Sequence, residues 1–160
     1  MNILKKPHKI GSIFYVLWGI LHIVVGLIPV ITFLRGGPRE MLTAIEGMQN
    51  VPAVIEEPLR QASYFIAQHY FNLAAVGILA IIIAVALNWR NQPLGFWTNL
   101  VILGMVDLSF VLGEMVPGYM PVEIGIIGPI LYVLGAVFTG VALVQKPEQA
   151  QEKQQVVPAS

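Results

Sequence analysis

Two ionisable side chains stand where a membrane-spanning helix would hold them away from water. His22 lies midway along an apolar run at 11–34, and Asp107 midway along another at 94–116. A charged group at the centre of a bilayer costs at least about 2.5 kcal/mol, so it needs a partner or a use. Other polar groups fall near the pair. With a rise of 1.5 Å per residue, His22 sits roughly 18 Å, Asn72 and Asp107 about 15 Å and His69 about 10 Å from the outer ends of their runs. Glu114 follows Asp107 by two turns, and Tyr132 lies on the inward stripe of the fourth run. The set His22, His69, Asn72, Asp107, Glu114 and Tyr132 thus sketches a polar path from the outer surface to mid-membrane.

Three kinds of chemistry fit those residue types. His22, Asn72 and Asp107 could hydrogen-bond one another and fix helix register. They could orient a small amphipathic molecule, a quinone or a lipid, in an apolar pocket. Or His22 and Asp107 could move protons as an acid–base pair acting on a lipid-soluble substrate. Metal ligation is disfavoured, because His22 and His69 differ by about 8 Å in depth, which also argues against bis-histidine haem. Ser63 and Ser109 lack the partners acyl transfer requires. The glycines lie inside apolar runs rather than in a phosphate-binding loop after a strand. No confident cofactor and no catalytic residue beyond the candidates His22 and Asp107 follow from the residues alone.

The elements that must position these groups are plain. The chain has 160 residues, 56% hydrophobic and 11% charged, with no cysteine and zero formal net charge; its mean hydropathy is +0.74. Soluble domains carry about 25% charged residues. Runs at 11–34, 62–87, 94–116 and 122–144 each match the ~20 residues needed to cross a bilayer. Short connections at 88–93 and 117–121 make neighbours antiparallel. The expectation is an all-α integral membrane protein, an up-down-up-down four-helix bundle. The basic bias of Lys5, Lys6, Lys9, Arg90, Lys146 and Lys153 places both termini in the cytoplasm, in a cell membrane crossed several times. Neutral charge offers nothing to nucleic acid, and the absence of thiols excludes sulfur redox by this chain's own cysteines.

Outside the spans, residues 1–10 form a basic flank and 145–160 a polar tail expected to be disordered. The outer loop 35–61 holds Met41, Leu42, Ile45 and Met48 at helical spacing. That pattern predicts a short amphipathic helix, either resting on the headgroups or covering an outward-facing cavity. Within the spans, small and polar residues recur at about 3.5-residue spacing, as helix contacts in lipid require. The inward stripes are expected to be Ser12, Tyr15, Gly19, His22, Gly26 and Pro29; then Gln61, Phe65, Gln68, Asn72 and Ala75; then Gly104, Asp107, Val111 and Glu114; then Gly125, Gly128, Tyr132, Gly135 and Thr139. Glycine-rich faces could also serve a homodimer.

The segment Leu17-Trp18-Gly19-Ile20-Leu21-His22-Ile23-Val24-Val25-Gly26 resembles the first helix of the DoxX-like group of small four-helix membrane proteins. The layout, four spans with a longer first outer loop, is similar too. The resemblance implies an accessory subunit in the inner membrane, with the lipid bilayer around it and a membrane oxidoreductase that delivers electrons to quinone as a partner. No catalytic residue carries over.

Overall fold

The computed structural model describes residues 6–45 and 57–155. Its elements are α1 (Pro7–Ala44), α2 (Glu57–Ala86), a 3₁₀ turn (Asn88–Arg90), α3 (Pro93–Phe110), a π-helical segment (Val111–Met115), α4 (Val122–Gly125) and α5 (Ile127–Gln155). Four stretches are long and apolar enough to cross a membrane: Pro7–Ala44, Glu57–Arg90, Pro93–Met115 and Val122–Gln145. The fold is an all-α membrane four-helix bundle. Four successive helices bring the start of α1 and the end of the fourth stretch, near Gln145, to one end, called here the terminal end; the opposite end is the distal end.

Helix α1 is the spine, packed along its length against α2 and α5. Glycine sets how close the helices come. A Cβ on Gly19 would stand 2.6 Å from the carbonyl oxygen of Gly77, and one on Gly77 would stand 2.7 Å from that of Gly19. The two backbones therefore touch, and only hydrogen fits between them. Farther along, a Cβ on Gly26 would meet the Tyr70 carbonyl oxygen at 2.6 Å and the Ala74 nitrogen at 2.7 Å. On the other side of α1, Gly135 of α5 leaves room for the ring of Tyr15, and Gly11 for Thr139. Tyr15, Trp18, Ala80, Ala84 and Leu103 fill the centre.

The turn from α2 to α3 is locked by asparagines. Asn91 takes the left-handed conformation (φ 54°), which asparagine tolerates better than most residues. Its amide nitrogen donates to the Ala142 carbonyl at 3.3 Å. Buried Asn88, in the orientation its surroundings require, donates to the carbonyls of Gly95 (3.1 Å) and Ile83 (3.3 Å). Pro93 then opens α3 at a position where a missing N–H costs nothing. At the same end, the Lys9 ammonium lies 4.6 Å from the Trp89 ring centroid.

Three boundaries differ from those the sequence suggests. Helix α1 does not stop near residue 34: it reaches Gly37, whose backbone breaks to φ 77°, ψ −164°, and resumes through Ala44. The expected amphipathic helix is this second piece, but its apolar face meets protein rather than headgroups. Met41, Leu42 and Ile45 are buried against Phe33, Leu59, Ile66, Ala67 and Tyr70; Met48 lies outside the described residues. Helix α2 starts at Glu57, ahead of the apolar run, with Arg60 and Gln61 bonded back to Glu57. Helix α5 continues to Gln155 through most of the segment expected to be a disordered tail. Its Gln, Glu, Lys and Ala residues are good helix formers, and an existing helix needs no new nucleus to extend.

Candidate functional site

The polar residues of α1 and α3 meet through a residue the sequence argument passed over. Trp18 is fully buried and its indole N–H donates to both carboxylate oxygens of Asp107, at 3.2 and 3.1 Å. His22, one turn along α1, stacks on the same indole with centroids 3.6 Å apart and planes 20° from parallel. Its Nδ1 lies 2.8 Å from the Trp18 carbonyl oxygen. A carbonyl can only accept, so Nδ1 carries the proton and Nε2 of the neutral ring is bare. The direct bond between His22 and Asp107 that the helix-register alternative would use is absent among the described residues; the indole lies between them. The signal was available, since Trp18 sits four residues before His22 inside a span rather than at an interface, where tryptophan usually gathers.

Both groups face one cavity of about 670 Å³ in the distal half of the bundle. A Cβ on Gly128 would stand 3.6 Å from Asp107 Oδ1 and 3.8 Å from His22 Nε2. The two acceptors therefore converge on the same bare patch of α5 backbone. Side chains such as Leu21, Val25, Leu73, Phe110 and Ile124 make the walls apolar. The ionisable residues lining it are His22, His69, Tyr70, Asp107 and Glu114. A volume in the range of roughly 300–1,000 Å³, apolar walls and a few convergent polar groups describe a small-molecule site.

Interrupted helices ring this cavity. Pro29 on α1 has no N–H, so the Val25 carbonyl loses its intrahelical donor, and both residues line the space. Pro129 removes the equivalent donor for Gly125 in the fourth span, and these two also line it. On α3 the ladder widens to π spacing, with the Val116 N–H bonded to the Val111 carbonyl at 2.9 Å. The Glu114 carbonyl takes bonds from the Tyr119 and Met120 amides at 2.8 and 3.0 Å, closing the distal turn. Irregular backbone at membrane depth is tolerated where it borders a cavity or is buried in protein, and π segments gather at functional sites. Ala44 and Ile45, beyond the Gly37 break, complete the distal wall.

The structure does not bring all the expected residues together. Asn72 is exposed on the outward side of α2, and Gln61, Phe65, Gln68 and Ala75 are exposed with it. The reason is the glycine seam. Ala74 and Gly77 must face α1, and Asn72, two residues before Ala74, lies about 200° around the helix from it. Tyr132 is also off the cavity. It packs under Gly104, and its hydroxyl donates to the Leu100 carbonyl at 2.9 Å, joining α5 to α3. His69 is exposed yet lines the cavity edge, its ring set edge-on to Tyr70 at 5.7 Å. On α3 the most buried positions are Gly95, Asn99, Leu103 and Asp107; Gly104, Val111 and Glu114 of the expected stripe are half-buried beside them. Asn99 was unforeseen, although its eight-residue spacing to Asp107 puts both on one side. Among the described residues its amide atoms have no hydrogen-bond partner, and neither does the Tyr15 hydroxyl. The described residues also contain no cluster of three or more His, Cys, Asp or Glu able to hold a metal ion. Comparison with protein-family models, curated proteins and solved structures found no match.

Proposed function

We propose that this protein binds a lipid-soluble amphipathic molecule, its polar head against His22 and Asp107 and its apolar body among the walls of the distal cavity. One observation carries the reading: His22 Nε2 and Asp107 Oδ1 look across Gly128 into a space of about 670 Å³ instead of bonding to each other. Polar groups that served only to fix helix register would be expected to saturate one another, because unsatisfied acceptors in a low-dielectric interior are costly. Quinone-like molecules and membrane lipids are the classes that fit. The segment Leu17–Gly26, which carries the DoxX-like resemblance, contributes Trp18 and His22 to this site. Residence in a cell membrane, with both termini cytoplasmic, belongs to the same proposal and rests on the lysines and arginines of the terminal end.

Native mass spectrometry of the protein taken directly from its expression membrane tests the reading. Wild type should retain a small lipid-soluble molecule that extraction then identifies. His22→Ala and Asp107→Asn should retain it at least tenfold less while their melting stays near wild type. Retention unchanged in both variants would contradict the proposal.

A further inference from the structure

Building on the proposed ligand site, we infer that its occupant presents a hydrogen-bond donor, a hydroxyl or an ammonium, rather than a carbonyl or ether oxygen, which narrows the quinone-like class to its reduced, hydroxyl-bearing quinol form. Around Gly128 the polar floor presents acceptors; the hydroxyls of the lining belong to Ser109, which donates to the Val106 carbonyl, and to Tyr70, which packs against Met41, Leu42 and Ile45. His22 has committed its N–H to the Trp18 carbonyl and turns a bare Nε2 to the cavity. Asp107 is 4% exposed, and both its oxygens accept from the one indole N–H. An ionised carboxylate has about four lone-pair directions, and among the described residues only Trp18 serves them. Val25 and Gly125, two residues of the same lining, have carbonyls that lose their i+4 N–H partner to Pro29 and Pro129. A head group that brings a donor supplies what these atoms lack. One that brings only an acceptor leaves them unsatisfied, and sites of this kind discriminate strongly against such analogues.

The test compares a long-chain para-alkylphenol, its methyl ether and an alkylammonium of equal length, by calorimetry on the full chain in nanodiscs. The phenol should bind at least tenfold tighter than the ether, and His22→Ala should reduce that ratio towards unity. An alkylammonium that outbinds the phenol assigns a cationic head and supports the inference; one that binds no better than the ether, beside a phenol that binds tightly, supports a neutral hydroxyl. Equal binding of phenol and ether would overturn the donor inference while leaving the cavity reading intact. Failure of all three to bind would overturn both.

A separate observation concerns the outward face of α2. Gln61, Phe65, Gln68, Asn72, Ala75, Leu79 and Ile82 recur at alternating spacings of four and three, and every one is exposed. That spacing is a coiled-coil seam. Gln68 and Asn72 lie well inside a membrane span, and their side chains have no hydrogen-bond partner among the described residues. We propose that a second copy of this chain covers the seam. A carboxamide both donates and accepts, so it is complementary to itself. A twofold axis along the membrane normal would lay α2 against its own copy at equal depth, Asn72 opposite Asn72 and Gln68 opposite Gln68.

The chain has no cysteine, so a single introduced one reports cleanly. Ala75→Cys in membranes should form an intermolecular disulfide with copper phenanthroline, the oxidant taking two electrons and two protons from the paired thiols. Leu108→Cys, on the exposed face of α3, should cross-link at least tenfold less. Adding Gln68→Leu and Asn72→Leu to Ala75→Cys should cut its cross-linking several-fold. Equal cross-linking at both positions, or no effect of the leucines, would overturn the proposal.

Discussion

The terminal and distal halves of the bundle solve the problem of packing in lipid in opposite ways. In the terminal half, Gly11, Gly19, Gly77 and Gly135 let backbones and rings touch, with a Cβ at any of them within 3 Å of a neighbouring atom. In the distal half the tight seam persists only at Gly26 against Tyr70 and Ala74, while the other faces carry Pro29, a π segment and Pro129 and border a cavity of about 670 Å³. Lipid tails give no hydrophobic drive between helices, so close dispersion contact has to hold the bundle. The seams supply it where the chain can be regular. The distal half sacrifices regularity for space, and the Trp18–Asp107 bond lies at the junction between the two.

The contrast can be broken most severely at the seam. Gly77→Val should unfold the protein or abolish its monodisperse yield, since the new side chain meets the Gly19 carbonyl oxygen at 2.7 Å and the Ile23 nitrogen at 3.1 Å; overpacking against backbone costs at least about 1–3 kcal/mol. Size-exclusion profile and thermal melting check this. The junction comes next. Trp18→Phe keeps an aromatic face for His22 but leaves Asp107 without its donor, which should cost about 1.5–3 kcal/mol in reversible unfolding. Asp107→Asn should make that cost smaller, so the double mutant is less destabilised than the sum of the singles. Gly37→Ala, at φ 77° and ψ −164°, should lose about 1–3 kcal/mol from backbone strain alone in a region that glycine almost exclusively occupies, because nothing lies near the added methyl. Gly128→Ala should change stability least, within about 1 kcal/mol. Its methyl enters the cavity floor, 3.3 Å from His22 Cε1, so its effect should appear as weaker binding of the alkylphenol.

Much of this was legible in the residues. The four spans follow from unbroken apolar length, and the stripes of α1 and the fourth span follow from glycine, tyrosine and threonine at helical spacing. Tertiary contact decided the rest. On α2 two patterns compete, one of amides through Gln68 and Asn72 and one of small residues through Ala74 and Gly77. Polarity argued for the first, but backbone approach to Gly19 and Gly26 selected the second. His22 and Asp107 were found by depth alone. Trp18 was not, because tryptophan in a span reads as bulk until a carboxylate is seen in front of its N–H. The cavity could not be inferred from periodicity, since it arises where periodicity fails, at two prolines and a π turn.

The central claim is that the distal cavity is a ligand site with a polar floor. The most direct test is thermal stabilisation by the alkylphenol in wild type and in Gly128→Leu, whose side chain should occupy the space in front of His22 and Asp107. A ligand present at a hundredfold its dissociation constant should stabilise the wild type by about 2.7 kcal/mol, and the variant should melt at the same temperature with or without it. An equal upward shift in the two proteins would contradict the account.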